Sequence, residues 1–251
     1  MAPLVADPIA GGTPAPQDEP LLITRSADLR NLSFPRLPGT AAEARAIQKP
    51  ASVFAGGDPR VLLEQQATEA AAKAVRRPKV LVLSTHGFFL PAQPWLRDER
   101  TGEYKPNPQR ENPLLRCGLA LAGANNREKS TTGDDGILTG LEILAMDLRN
   151  TDLVVLSACE TGIGQVANGE GVAGLRQCFQ LAGAKSVLAT LWKIPDAEST
   201  QLMTTFFTRL SEGVSRPDAL RQAQLEMIKR LKDAGKAPHP YYWAAFTVTG
   251  E

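Results

Sequence analysis

Three short runs constrain this chain most: Lys79-Val-Leu-Val-Leu-Ser84, Asp152-Leu-Val-Val-Leu-Ser157 and Ser186-Val-Leu-Ala-Thr-Leu191. Each is apolar at successive positions rather than alternate ones, as in a strand buried on both faces. Stretches of helical character separate them. Residues 40–49 and 66–77 are rich in Ala and Glu, and Val172, Leu175, Phe179 and Ala182 recur at helical spacing up to Gly183. Strands alternating with helices predict an α/β chain, with a mostly parallel sheet flanked by helices on both faces.

Local signals fill in the order. Cys117-Gly-Leu-Ala-Leu-Ala122 reads as a short strand and Ala244-Ala-Phe-Thr-Val-Thr249 as a last one. Thr139-Gly-Leu-Glu142 is a capping box, with Leu141, Leu144, Ala145 and Leu148 on one helical face. Residues 197–212 present Leu202, Phe206 and Leu210 before Gly213, and Ser215 caps a further helix with Pro217 and Asp218 in its first turn. Residues 91–113 and 123–136 read as exposed loops. Residues 1–20 are loose in composition, with Leu4-Val5-Ala6-Asp7-Pro8 as the tail of a first strand. The chain then begins almost inside its own fold, as a piece of something longer would. Residues 21–251 form the folded domain.

Composition removes several function classes. Lys plus Arg number 28 and Asp plus Glu 27, a net charge of +1, so nothing marks a nucleic-acid partner or an acidic membrane surface. There is no secretory leader pattern in the first twenty residues and no apolar run long enough to span a bilayer. Three cysteines (Cys117, Cys159, Cys178) and two histidines (His86, His239) make no CxxC or HxxxH pair, so no structural zinc site is expected. The sparse, odd cysteine count fits a reducing compartment, read as the cytoplasm.

In a parallel sheet, functional groups gather beyond the carboxyl ends of the strands. His86 stands two residues past Ser84 and Cys159 two past Ser157. If those strands are neighbours, a thiol and an imidazole share one rim, the arrangement for covalent catalysis by a thiolate. The backbone N–H groups of Gly87 and Cys159 are candidate oxyanion donors. Spacing alone also admits a buried packing cysteine and a structural histidine. Cys117, Cys178 and His239 are read as structural.

Further motifs narrow the choice. His86-Gly-Phe-Phe89, Leu156-Ser-Ala-Cys-Glu-Thr-Gly162, Gly169-Glu-Gly-Val-Ala-Gly174, Ala182-Gly-Ala184, Leu191-Trp-Lys193 and His239-Pro-Tyr-Tyr-Trp-Ala-Ala-Phe246 together resemble a CHAT domain. That is the caspase-like peptidase domain associated with tetratricopeptide repeats, and the likeness runs over nearly the whole chain. The resemblance implies a caspase–haemoglobinase fold and a cysteine endopeptidase that needs no cofactor. It implies His86 as general base and acid, Cys159 as nucleophile, and Gly87 and Cys159 as oxyanion donors. Its partners would be a protein or peptide substrate and an upstream repeat or sensor module, in a regulated, defence-type role. Relatives that cut after Arg or Lys often carry an acid where this chain has Ser157. Here the acidic candidates for substrate contact are Glu160, Asp134 and Asp135, and Trp192 is a candidate pocket wall. Two other readings stand beside this one: an inactive CHAT-like scaffold, and a nucleotide-binding α/β protein suggested by Gly169-Glu-Gly171-Val-Ala-Gly174. The second lacks the strand that should run directly into its glycines.

Overall fold

The doubly buried runs become three adjacent parallel strands of one sheet. The computed structural model describes residues 2–3, 26, 28–29, 32–91, 93, 96–105, 107, 110–130, 133–157, 159–160 and 170–250, with only the backbone described for 2–3, 159–160 and 170–173. In chain order, the strands and helices of the first half are β1 (Ala2–Pro3), α1 (Gly39–Ala55), β2 (Val61–Leu62), α2 (Glu69–Lys73), β3 (Val80–Leu83), β4 (His86–Phe89), β5 (Leu96–Arg97), β6 (Tyr104–Lys105), β7 (Cys117–Ala120) and β8 (Ile137–Thr139). Then follow α3 (Gly140–Leu144), β9 (Leu153–Leu156), β10 (Cys159–Glu160), α4 (Glu170–Leu181), β11 (Ser186–Thr190), α5 (Asp196–Ser211), α6 (Arg216–Asp233), α7 (Pro240–Trp243) and β12 (Phe246–Gly250).

The main sheet has the order β12-β11-β9-β3. Strands β3, β9 and β11 are parallel, and β12 closes one edge antiparallel to β11. A second sheet, β10-β4-β7-β8, continues from its rim. There β10 and β4 are parallel, while β7 and β8 run antiparallel. The parallel expectation therefore holds for the core strands and not for β7, β8 and β12, each of which follows a connection that the sequence leaves free to return in either direction.

Period-two geometry divides the core strands between two faces. Leu81, Leu83, Val154, Leu156, Val187 and Ala189 pack with Ala72 of α2, Ile143 of α3 and Leu175 and Phe179 of α4. Val82, Leu153, Val155 and Leu188 pack with Ile47 of α1, with Leu202, Phe206 and Leu210 of α5, and with Ala219 and Ala223 of α6. Helices thus cover both faces, as the sequence predicts.

Several local expectations shift. Helix α1 runs through Pro50 to Ala55 rather than ending near residue 49. Its inward stripe of Ala44, Ile47 and Ala51 is buried across the proline, so packing outweighs the bond that Pro50 cannot donate. The capping box is present, with Thr139 accepting from the Glu142 N–H, yet α3 stops at Leu144. Leu141 is exposed and Ile143 fills the core instead, while Leu148 is buried beyond the helix end. The loop over 91–113 carries the small β5–β6 hairpin. Ser215 caps α6 as expected. Gly183, with φ +115° and the Arg149 backbone 2.7 Å from where a Cβ would stand, ends the segment after α4. The proposed strand tail at Leu4–Pro8 lies outside the described residues.

Candidate functional site

The candidate pair depends on two strands that each break and resume. Ser84 and Thr85 separate β3 from β4, and the break between β9 and β10 follows Leu156 and begins with Ser157. Leu83 lies beside Leu156 in the main sheet. Three residues further along both chains, His86 lies beside Cys159, again in parallel. The register is unchanged across the interruption. Paired strands lie about 4.8 Å apart, so the backbone brings His86 and Cys159 to adjacent places on one rim. Gly87 is the register partner of Glu160 on one side and of Leu119 on the other.

His86 is buried. Its Nε2 lies 2.5 Å from the Pro35 carbonyl oxygen. A carbonyl only accepts, so Nε2 carries the hydrogen and donates it. Nδ1 is buried with no hydrogen-bond partner among the described residues. The segment holding Pro35 is itself fixed. Phe34 donates its N–H to Asn125 Oδ1 at 2.8 Å and accepts from Asn125 Nδ2 at 2.9 Å. The Phe34 ring lies 5.9 Å from the imidazole and 6.0 Å from the Phe88 ring. Burial pulls the imidazole's pKa below its ordinary value. The bond to Pro35 opposes this, and the charge of Lys193 adds to it.

This sets a sign for acid stability. Below about pH 6.5 the unfolded chain takes up a proton that folded His86 resists. The neutral imidazole therefore contributes stability above that pH, and the contribution is lost as the pH falls through it. Urea unfolding of wild type and His86→Gln at neutral pH and about two units lower should show wild type losing more stability in acid. Equal losses would mean that His86 is not held neutral.

The other predicted residues separate. Ser157 is buried and donates to Glu43 Oε2 at 3.0 Å. Asp134 pairs with Lys73 at 2.5 Å. Asp135 Oδ1 accepts from the Ile137 N–H at 2.9 Å, and the Asp135 N–H donates to Glu69 Oε2 at 2.7 Å. Both aspartates thus serve the loop against α2, and neither lines the cleft beside His86. Trp192 packs on the α5–α6 core, and its indole N–H donates to the Tyr241 carbonyl at 3.0 Å. The side chains of Cys159 and Glu160 and the motif glycines Gly162, Gly164 and Gly169 lie outside the described residues. Cys117 and Cys178 are buried and unbridged, and His239 caps α7 by accepting from the Tyr241 N–H.

A cleft of about 930 Å³ opens at His86, lined among others by Phe34, Leu37, Arg45, Leu63 and Asn125. Among the described residues no cluster of His, Cys, Asp or Glu is arranged to hold a metal, and no helix is long and apolar enough to cross a membrane. Three participants escaped the sequence reading: the Pro35 carbonyl, Asn125 and Glu43. Only Glu43 left a signal, as a carboxylate one helical step before Ile47 and Ala51 on the apolar stripe of α1.

A family model described as "CHAT domain" matches residues 6–251. Tetratricopeptide repeat protein 28 of Mus musculus is 32% identical over 114 residues, which is 45% of this chain and 4% of that protein. The protein of the same name from Homo sapiens matches to the same extent. The chain thus spans a small fraction of the length of these relatives.

Proposed function

Since the chain belongs to the CHAT domain family, we propose that it is a cysteine endopeptidase in which His86 and Cys159 act as a dyad on an exposed segment of one or a few protein substrates. The observation that carries this reading is the backbone register, which sets the two residues side by side at the ends of adjacent parallel strands. The family's tetratricopeptide association supports an upstream repeat or sensor module as the regulator.

The chemistry follows from the residue types. The Cys159 thiol gives its proton to the imidazole, and the thiolate attacks the scissile carbonyl. The resulting oxyanion is met by the N–H groups that the family pattern assigns to Gly87 and Cys159. The imidazolium then protonates the leaving amine, the C–N bond breaks, and a thioester remains. Water, losing a proton to the same imidazole, hydrolyses the thioester and restores the thiol. The bond from Nε2–H to Pro35 supports this cycle: it holds the ring in one tautomer and reserves Nδ1 for the travelling proton.

The test is cleavage of a diverse protein and peptide library by wild type and by Cys159→Ala, read by mass spectrometry. Cuts made by wild type and absent from the variant are expected, and they identify the residue before the scissile bond. Identical patterns would refute the peptidase reading and leave a binding scaffold.

A further inference from the structure

Two residues before His86 and Cys159, the serines of both strands meet a buried carboxylate that the peptidase cycle does not use. Glu43 of α1 is only 4% exposed. Its Oε1 accepts from Ser84 Oγ at 2.7 Å, and its Oε2 accepts from Ser157 Oγ at 3.0 Å and Ser199 Oγ at 2.8 Å. Burial raises its pKa above the ordinary carboxylate range, with the three hydroxyl bonds pulling the other way.

The position of these partners matters more than their number. Ser84 follows Leu83 and Ser157 follows Leu156, and those two leucines are register partners. Ser84 stands two residues before His86, and Ser157 two before Cys159. Among the described residues, no strand pairing spans this stretch: the ladder of the main sheet stops at Leu83 and Leu156 and resumes at His86 and Cys159. Glu43 reaches across the gap with one oxygen on each strand's serine, and the second oxygen also ties to Ser199 of α5.

We propose that Glu43 is a positioning residue: by bridging Ser84 and Ser157 where the strand ladder is interrupted, it fixes the separation of the two strand ends that carry His86 and Cys159. The proposal rests on the dyad reading above. Misplacing reacting groups by about 1 Å costs on the order of a hundredfold in rate, so the bridge should show in turnover rather than in substrate binding. Glutamine has the same reach and keeps hydrogen-bonding atoms at both ends, and the serine hydroxyls can rotate to meet either, whereas alanine removes the bridge.

The experiment compares wild type, Glu43→Ala, Glu43→Gln, Ser157→Ala and His86→Ala. Two quantities are read: kcat and KM on a peptide taken from the wild-type cleavage set, and the rate of iodoacetamide alkylation at Cys159 in the folded protein, located by mass spectrometry. Glu43→Ala is expected to lower kcat on the order of a hundredfold with KM within about twofold. It should also slow alkylation towards the His86→Ala rate. Glu43→Gln should recover kcat to within about threefold of wild type. If Glu43→Ala does not fold, Ser157→Ala, which cuts the tie to the Cys159 strand alone, should lower kcat about tenfold. A kcat loss that only tracks the folded fraction, or equal losses in Glu43→Ala and Glu43→Gln, overturns the proposal. The alkylation rates separate it from its premise. If His86→Ala reacts as fast as wild type, the dyad reading falls and the proposal with it. If His86→Ala is slow while Glu43→Ala keeps the wild-type rate, the dyad stands and the role of Glu43 alone is refuted.

Discussion

The His86→Ala protein is expected to lose about four to six orders of magnitude in kcat, and adding Cys159→Ala to it is expected to cost almost nothing more. The reason is that the two groups share one proton. Without the imidazole, the thiol near neutral pH is mostly protonated, and the leaving amine has no acid to receive a proton from. Without the thiol, the imidazole has no nucleophile to serve. Groups that act as a unit show this non-additivity, whereas independent contributors multiply. Single-turnover rates on one peptide for the two single variants and the double variant check it. A double variant slower than wild type by the product of the two separate losses would mean that the residues do not act on the same step.

Phe88→Ala is expected to cost about 3–5 kcal/mol of folding stability. Phe88 sits in β4, two residues after His86, and is fully buried. It packs in a cluster with Leu29, Phe34, Ala120, Ala124 and Ile137. Opposite it, Gly118 leaves the space its ring occupies: a Cβ at that position would stand 2.8 Å from the ring and 2.5 Å from the Leu138 carbonyl. A truncated side chain therefore opens a cavity among these side chains, closed on one side by the Gly118 and Leu138 main chain, which cannot collapse far. The ring also backs Phe34, whose neighbour Pro35 accepts the His86 hydrogen bond. Phe88→Leu, which refills most of the volume, should cost much less, under about 1.5 kcal/mol. Urea unfolding reads both. A cost below about 1 kcal/mol for the alanine variant would show that this cluster does not anchor β4.

How legible was this in the sequence? The strands were, because burial on both faces leaves unbroken apolar runs at 79–84, 152–157 and 186–191. So were the ends of several helices, where Thr139, Ser215 and Gly183 act on their own neighbours within three or four residues. The rim position of His86 and Cys159 followed from the strand ends, and the backbone register brings those ends together. What stayed hidden is what depends on distant partners. The Pro35 carbonyl reaches His86 across 51 positions, Asn125 holds Phe34 across 91, and Ser157 meets Glu43 across 114. No local pattern encodes such pairings. The same limit explains the acidic residues. Asp134 and Asp135 look available in sequence, but Lys73 and the Ile137 N–H take up their carboxylates once α2 packs beside the loop. Strand direction was hidden for a different reason: β7, β8 and β12 satisfy the same composition parallel or antiparallel, and only the route of the connecting chain decides.

Whether His86 and Cys159 work as one unit can be measured without knowing a substrate. The measurement is the pH dependence of iodoacetamide alkylation at Cys159, resolved from Cys117 and Cys178 by mass spectrometry, in wild type and in His86→Ala. A cysteine that hands its proton to an adjacent imidazole, so that the thiolate balances the new charge, reacts below the ordinary thiol pKa of about 8.5. Rapid, selective reaction of Cys159 at neutral pH is expected in wild type, and a curve returned towards the ordinary thiol range in His86→Ala. Two superimposed curves, both rising near pH 8.5, would contradict it.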